Sequence, residues 1–181
     1  MPRLFTGLEI PPEIAEALSG YRFGLPGARW VDPANYHITL RFIGDIDEGT
    51  ARDLTLILSE CRAREPIEIV LDELASFGGS RPRAVLARVE SKPELMRLQA
   101  EQEQLVRRAG LQPETRKFTP HVTLARLRGA SSHDVAGYIA ERGHFPRLTF
   151  TAERFVLYSA RESTGGGPYL AEAVYPFASA E

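Results

Sequence analysis

Residues 35–45 read NYHITLRFIGD, an alternation of polar and apolar side chains with the period of two that marks a half-buried strand. Strict alternation places His37, Thr39 and Arg41 on one face and Ile38, Leu40 and Phe42 on the other, with Phe42 read as packing. The polar face is therefore either hydrated or used. Starting 84 residues after His37, the stretch HVTLARLRG repeats His-x-Thr-Leu, again after a proline-containing turn and again with strand periodicity. Two such strands facing a common groove bring together His37, Thr39, His121 and Thr123, a pair of imidazoles beside a pair of hydroxyls.

The elements around these two strands mix hairpins with helical crossovers. RLFTGLEI reads as a strand, PPEIAEALSGYRF as a helix with prolines in its first turn, and DEGTARDLTLILSECRA as an amphipathic helix with Leu54, Ile57, Leu58 and Cys61 on one side. PIEIVLDELASFGG and PRAVLARVE form a hairpin around GGSRP. SKPELMRLQAEQEQLVRRAG is a helix capped by Ser91, with Pro93 and Glu94 in its first turn, apolar Leu95, Leu98, Leu105 and Val106, and Gly110 as its stop. SSHDVAGYIAERG reads as a helix, RLTFTAERFVLYSARE as one strand, and YLAEAVYPF as a last strand after the glycine turn STGGGP. This order is α+β, and the internal echo predicts a single domain of two pseudo-duplicated halves with one motif each.

The chain has 181 residues, of which 43% are hydrophobic, enough for one domain with a sizeable core. No apolar run is long enough to span a bilayer and the N-terminal segment lacks the pattern of a signal peptide, so a cytoplasmic monomer without membrane attachment is expected. The one cysteine, Cys61, excludes an internal disulfide framework and is expected to be inert. A net charge of −2 excludes the global basic field of a duplex-binding protein, so any anion site is local. The basic residues are 20 arginines and two lysines, Lys92 and Lys117, and arginine is the better bidentate phosphate partner.

The chemistry that fits two His-x-Thr strands is the cleavage of a phosphate ester. One imidazole takes a proton from the attacking oxygen while the other gives one to the departing oxygen, which is possible because imidazole titrates near neutral pH. Threonine hydroxyls and nearby guanidinium groups hold the phosphate. No metal or other cofactor is expected, because neither motif has carboxylate or cysteine neighbours at ligand spacing. His133 and His144 lack a threonine partner and read as surface residues. STGGGP lacks the lysine and the following helix of a phosphate loop. A non-catalytic sensor of RNA ends or nucleotides would use the same groove, but phosphate binding alone needs only arginines and backbone amides.

The chain resembles the two-histidine phosphoesterases, and among them the RNA 2′,3′-cyclic phosphodiesterases of the ThpR/LigT type. The resemblance is carried by RLFTGLEIP, WVDPANYHITLRFIGD, ETRKFTPHVTLARL and the closing FVLYSARESTGGGPYLAEAVYPF. It implies a bilobal α+β fold, two antiparallel sheets flanking a central cleft with helices outside. It also implies metal-independent hydrolysis of a 2′,3′-cyclic phosphate to a 2′-phosphomonoester on RNA ends, tRNA fragments or cyclic nucleotides, and 2′-5′ RNA ligation as the associated reverse chemistry. By position, His37 would be the proton donor, His121 the proton acceptor, and Thr39, Thr123 and Arg126 the phosphate-binding residues. Alternation alone puts Arg126 on the face opposite His121 unless the strand bulges. Leu86 stands where relatives often carry an aromatic residue, and Arg81 and Arg83 fall in the hairpin loop at the rim.

Overall fold

Ile38 and Val122, the first apolar residue of each motif, are cross-strand partners at the centre of the sheet, and both are completely buried. Everything else in the fold is arranged about that pair. The computed structural model describes residues 3–62, 64–160 and 168–178. Its elements are β1 (Arg3–Glu9), α1 (Pro12–Ser19), β2 (Ala28–Trp30), β3 (His37–Asp45), α2 (Glu48–Ile57), β4 (Ile67–Phe77), β5 (Ala84–Val89), α3 (Pro93–Arg108), β6 (His121–Leu127), α4 (Ser132–Arg142), β7 (Leu148–Ala152), β8 (Arg154–Ser159) and β9 (Leu170–Pro176).

The strands run in the order β7-β4-β5-β6-β3-β1-β8-β9, with β2 also paired to β6. All strand pairings among the described residues are antiparallel. The two sheets implied by the family resemblance are thus joined by hydrogen bonding at one seam, where β3 and β6 pair only through Ile38 and Val122. On one side of the seam lie β3, β1, β8 and β9, and on the other β6, β5, β4 and β7. Each side carries one motif strand. The sides are not the successive halves of the chain, because the first draws on both ends of the sequence and the second on its middle.

Two differences from the sequence reading have clear local causes. The stretch expected as one strand across residues 147–162 is two, interrupted at Glu153. β7 pairs with β4, β8 pairs with β1, and the chain crosses from one side of the seam to the other between them. The N-cap of α3 is Lys92 rather than Ser91, with no side-chain cap bond, because Pro93 occupies the first helical turn and sets the start itself. Leu95, Leu98, Leu105 and Val106 are buried as their spacing predicts, and Gly110 ends the helix with φ +96°. The helix expected after Asp47 stops at Ile57 and tightens into a 3₁₀ turn over Leu58–Arg62, which still buries Leu58 and Cys61. Burial pushes the Cys61 thiol up to about 11, so it is not a thiolate at neutral pH.

Beside the seam, β1 approaches β3 unusually closely at Gly7. A Cβ there would lie 2.7 Å from the carbonyl oxygen of Ile38 and 3.3 Å from the Tyr158 ring. Glycine is therefore required for close approach of one backbone to another, next to the first histidine. Among the described residues no helix is long and apolar enough to cross a membrane. The glycine turn at 163–167 lies outside the described residues.

Candidate active site

His37 and His121 are each the first residue of their strand, and an antiparallel register through Ile38 and Val122 sets His37 across from Thr123 and Thr39 across from His121. The four side chains therefore share the face opposite the core. Each is only partly buried, between fully buried neighbours.

Both rings are oriented in the same way. His37 Nδ1 lies 2.9 Å from the carbonyl oxygen of Asn35, and His121 Nδ1 lies 2.7 Å from that of Thr119, each two residues upstream. A carbonyl only accepts, so Nδ1 carries the proton in both rings and Nε2 is left as the acceptor. The Thr39 hydroxyl, 2.9 Å from His37 Nε2, is then the donor in that contact. The turn that presents Asn35 is itself capped, with the Asp32 carboxylate accepting from Ala34 N at 2.9 Å.

The surroundings of the rings differ. His37 is boxed by Phe5 and Tyr169, with ring centroids at 4.9 and 5.1 Å, and by Tyr158 at 5.9 Å. Burial in this aromatic box lowers its pKa to about 4, against the opposing effect of the Asn35 carbonyl. The His121 and Arg126 charges depress it further. His121 lines an open cleft of about 720 Å³, with its ring centroid 4.8 Å from that of Phe77 in a T-shaped contact. Its pKa is also lowered, mainly by burial and then by Arg88 and Arg126, with the Thr119 carbonyl opposing. Both imidazoles are accordingly mainly neutral at pH 7.

Arg126 reaches the cleft because β6 bulges. Leu86 pairs with Thr123 and Val85 with Ala125, leaving Leu124 as the extra residue. The side-chain alternation slips by one, Leu124 and Ala125 are both buried, and Arg126 emerges exposed on the side of His121 and Thr123. β3 does the same at the corresponding place. Gly7 pairs with Thr39 and Thr6 with Arg41, so Leu40 is extra. The result reverses the faces expected for Arg41 and Phe42.

Phe42 is 46% exposed and lines the cleft instead of packing in the core. Arg41 is 6% exposed, and its three guanidinium nitrogens all have protein acceptors. Nε donates to Glu103, Nη1 to the carbonyl of Phe42, and Nη2 to the carbonyl of Gln112 at 2.6 Å. Arg41 is therefore a brace for the cleft wall and is not available to a phosphate. Burial acts to raise the Glu103 pKa, but the bonds from Arg41, Glu114 N and Arg107 outweigh it and leave the carboxylate ionised.

The remaining residues divide cleanly. Arg83 lines the cleft, whereas Arg81 is exposed and outside its lining. His133 and His144 are exposed and do not line the cleft. Leu86 is fully buried, so its side chain serves the core. Phe77 and Arg88 carry no signal in the sequence, since neither belongs to a motif; Arg88 faces His121 across the β5–β6 pair and is 3.6 Å from Glu73. Among the described residues no group of three or more His, Cys, Asp or Glu side chains is placed to hold a metal ion.

Comparison with known proteins agrees with this architecture. The family model of the 2′-5′ RNA ligase superfamily matches residues 10–164. An RNA 2′,3′-cyclic phosphodiesterase of Bacillus subtilis is 33% identical over 162 residues, 87% of each chain. One of Thermotoga maritima is 30% identical, covering 87% of this chain and 82% of the relative. Among solved structures, Escherichia coli LigT complexed with 3′-AMP superposes with a TM-score of 0.78 at 25% identity, covering 98% of this chain and 99% of the other. TT0787 of Thermus thermophilus shares the fold with a TM-score of 0.81 at 22% identity, over 99% of this chain and all of the other.

Proposed function

The chain belongs to the 2′-5′ RNA ligase superfamily, and we propose that it is an RNA 2′,3′-cyclic phosphodiesterase that opens cyclic phosphates on RNA ends or nucleotides to 2′-phosphomonoesters. The observation that carries the reading is the convergence at one seam of two imidazoles with matching tautomers, two threonine hydroxyls and the Arg126 guanidinium.

The reaction follows from that arrangement. Water reaches the cyclic phosphate through the open cleft that His121 lines, and His121 Nε2 takes its proton as the oxygen bonds to phosphorus. The bond from phosphorus to the ribose 3′-oxygen breaks, and His37 Nε2 protonates that oxygen. The product carries a 2′-phosphate and a free 3′-hydroxyl, and the two imidazoles recover their starting states by exchange with solvent. Thr39 turns its hydroxyl from His37 to a phosphate oxygen, Thr123 holds another, and Arg126 stabilises the charge that builds on them.

The low pKa of His37 fits this role once the substrate is counted. A phosphate anion placed against the ring supplies the opposite charge that the aromatic box lacks and raises the pKa toward neutrality. The acid thus becomes protonated as substrate binds. Phe42, exposed beside Thr39, offers a ring face to the terminal base. With a ribose 5′-hydroxyl in place of water, the same two proton transfers join RNA ends through a 2′-5′ bond. The catalytic unit in this reading is one bilobal domain acting as a monomer.

The test is incubation with 2′,3′-cyclic AMP in the presence of EDTA, with products separated by chromatography. The expected product is 2′-AMP, and intact cyclic nucleotide or loss of turnover on chelation overturns the proposal.

A further inference from the structure

The wall of the cleft beyond Phe42 is the segment joining α3 to β6, and it is held from beneath by an extensive polar network for a piece of chain that is neither helix nor strand. Arg41 donates to the carbonyl of Gln112, and Glu103, itself paired with Arg41, accepts from the backbone N–H of Glu114 at 3.0 Å. Arg107 donates to the same carboxylate at 2.9 Å. Ion pairs sealed from solvent contribute little net stability, so this one is better explained by what it holds in place than by what it adds to the fold.

The pinned segment carries two exposed cations, Arg116 and Lys117, and both line the cleft that contains His121 and Phe42. Arg116 is steadied by the Glu114 carboxylate, with Nε at 3.2 Å and Nη2 at 3.3 Å. Lys117 makes no ion pair among the described residues. Two residues further on, the carbonyl of Thr119 fixes the His121 tautomer. The backbone that carries both cations is therefore braced on the same segment that orients His121.

The cyclic phosphate is already served by Thr39, Thr123 and Arg126. The other anion that an RNA end brings is the phosphodiester linking its terminal nucleotide to the one before. We propose that Arg116 and Lys117 form a subsite for that internal phosphodiester, so that an RNA end is preferred to a free cyclic mononucleotide. The inference rests on the phosphodiesterase reading and deepens it by naming the substrate form the cleft favours.

The test compares two substrates, 2′,3′-cyclic AMP and the dinucleotide ApA ending in a 2′,3′-cyclic phosphate. In the double variant Arg116→Ala/Lys117→Ala, kcat/KM for the dinucleotide is expected to fall about tenfold more than for the mononucleotide. The fall of that kcat/KM with rising salt is expected to be shallower in the variant, since fewer charge pairs are left to screen. The charge-preserving pair Arg116→Lys/Lys117→Arg restores most of the preference. Affinities for the 2′-phosphorylated dinucleotide and for 2′-AMP, measured by titration, read the same ratio without turnover. A ratio unchanged by the alanine pair overturns the subsite. Failure of the wild-type chain to open either ring overturns the phosphodiesterase reading instead, and the binding ratio still decides the subsite.

Discussion

Phe42 and Arg126 occupy matching positions on the two motif strands, each five residues after its histidine and each turned into the cleft by a one-residue bulge at the preceding leucine, Leu40 or Leu124. The same backbone device delivers a flat apolar ring on one strand and a guanidinium on the other. A cyclic nucleotide presents the complementary pair, a base with a π-face and a phosphate. Arg126→Ala is expected to lower kcat by about two to three orders of magnitude, the loss typical of removing a donor to a developing oxyanion. Phe42→Ala is expected to cost about tenfold, mostly in KM. On ribose 2′,3′-cyclic phosphate, which has no base, Phe42→Ala should match the wild type, and an equal loss there would mean that Phe42 acts on the wall rather than on the substrate.

His37→Ala and His121→Ala should each reduce turnover by at least about two orders of magnitude while leaving the thermal transition in place. Circular dichroism melts on the same preparations separate loss of chemistry from loss of fold.

The acid and base must titrate in the order the environment sets. In the free protein His37 is held to about 4 and His121 below its ordinary value, so the profile of kcat/KM should peak on the acid side of pH 6.5. The bound phosphate raises the His37 pKa, so the alkaline limb of the kcat profile should lie at higher pH than that of kcat/KM. Coincident alkaline limbs would show that substrate does not raise the His37 pKa above that of His121.

The same shift has a consequence for stability. The folded His37 pKa is depressed below its unfolded value of about 6.5, so between these values the unfolded chain binds more protons. Its contribution is full above pH 6.5 and is lost as pH falls through 4, by on the order of 3 kcal/mol. His37→Asn should flatten that part of the urea-denaturation profile between pH 7 and pH 4, and an unaltered slope would place the acid lability elsewhere.

Arg41→Met should be costly because it leaves the Glu103 carboxylate to Arg107 and Glu114 N alone and takes the donors from the carbonyls of Phe42 and Gln112. A loss of about 1–3 kcal/mol is expected, with the double change Arg41→Met/Glu103→Met recovering part of it. Gly7→Ala should cost about 1–3 kcal/mol and lower activity as well, because its methyl group displaces the Ile38 carbonyl one residue from His37.

The two motif strands, their shared polar face and the clearest helix were legible because each depends on a periodicity of side chains. The bulges were only half legible. In the second motif Val122, Leu124, Ala125 and Leu127 are apolar, a break in strict alternation that marks a slip between Leu124 and Ala125. The first motif has no such mark, since Arg41 takes the place of Ala125 and a buried arginine is visible only through its partners Glu103, Phe42 and Gln112, two of them 62 and 71 residues away. Carrying the slip from one copy to the other would have placed Phe42 in the cleft. The division at Glu153 was hidden because β7 and β8 have similar composition and differ in what they pair with, which is a property of the sheet.

The placement of β8 sets an order on how the cleft is made. Apart from β2, the strands on the His121 side, β4 to β7, come from one uninterrupted stretch, so that side can condense as soon as residue 152 has emerged from the ribosome. On the other side β1 has only β3 as neighbour until β8 arrives, with Phe155 and Leu157 to bury. His37 is synthesised well before Tyr158 and Tyr169, so its aromatic box waits for them. A nascent chain that has reached Thr123 but not yet Tyr158 and Tyr169 holds one finished imidazole and one unfinished, and its two histidines can act as a pair only once those rings have arrived.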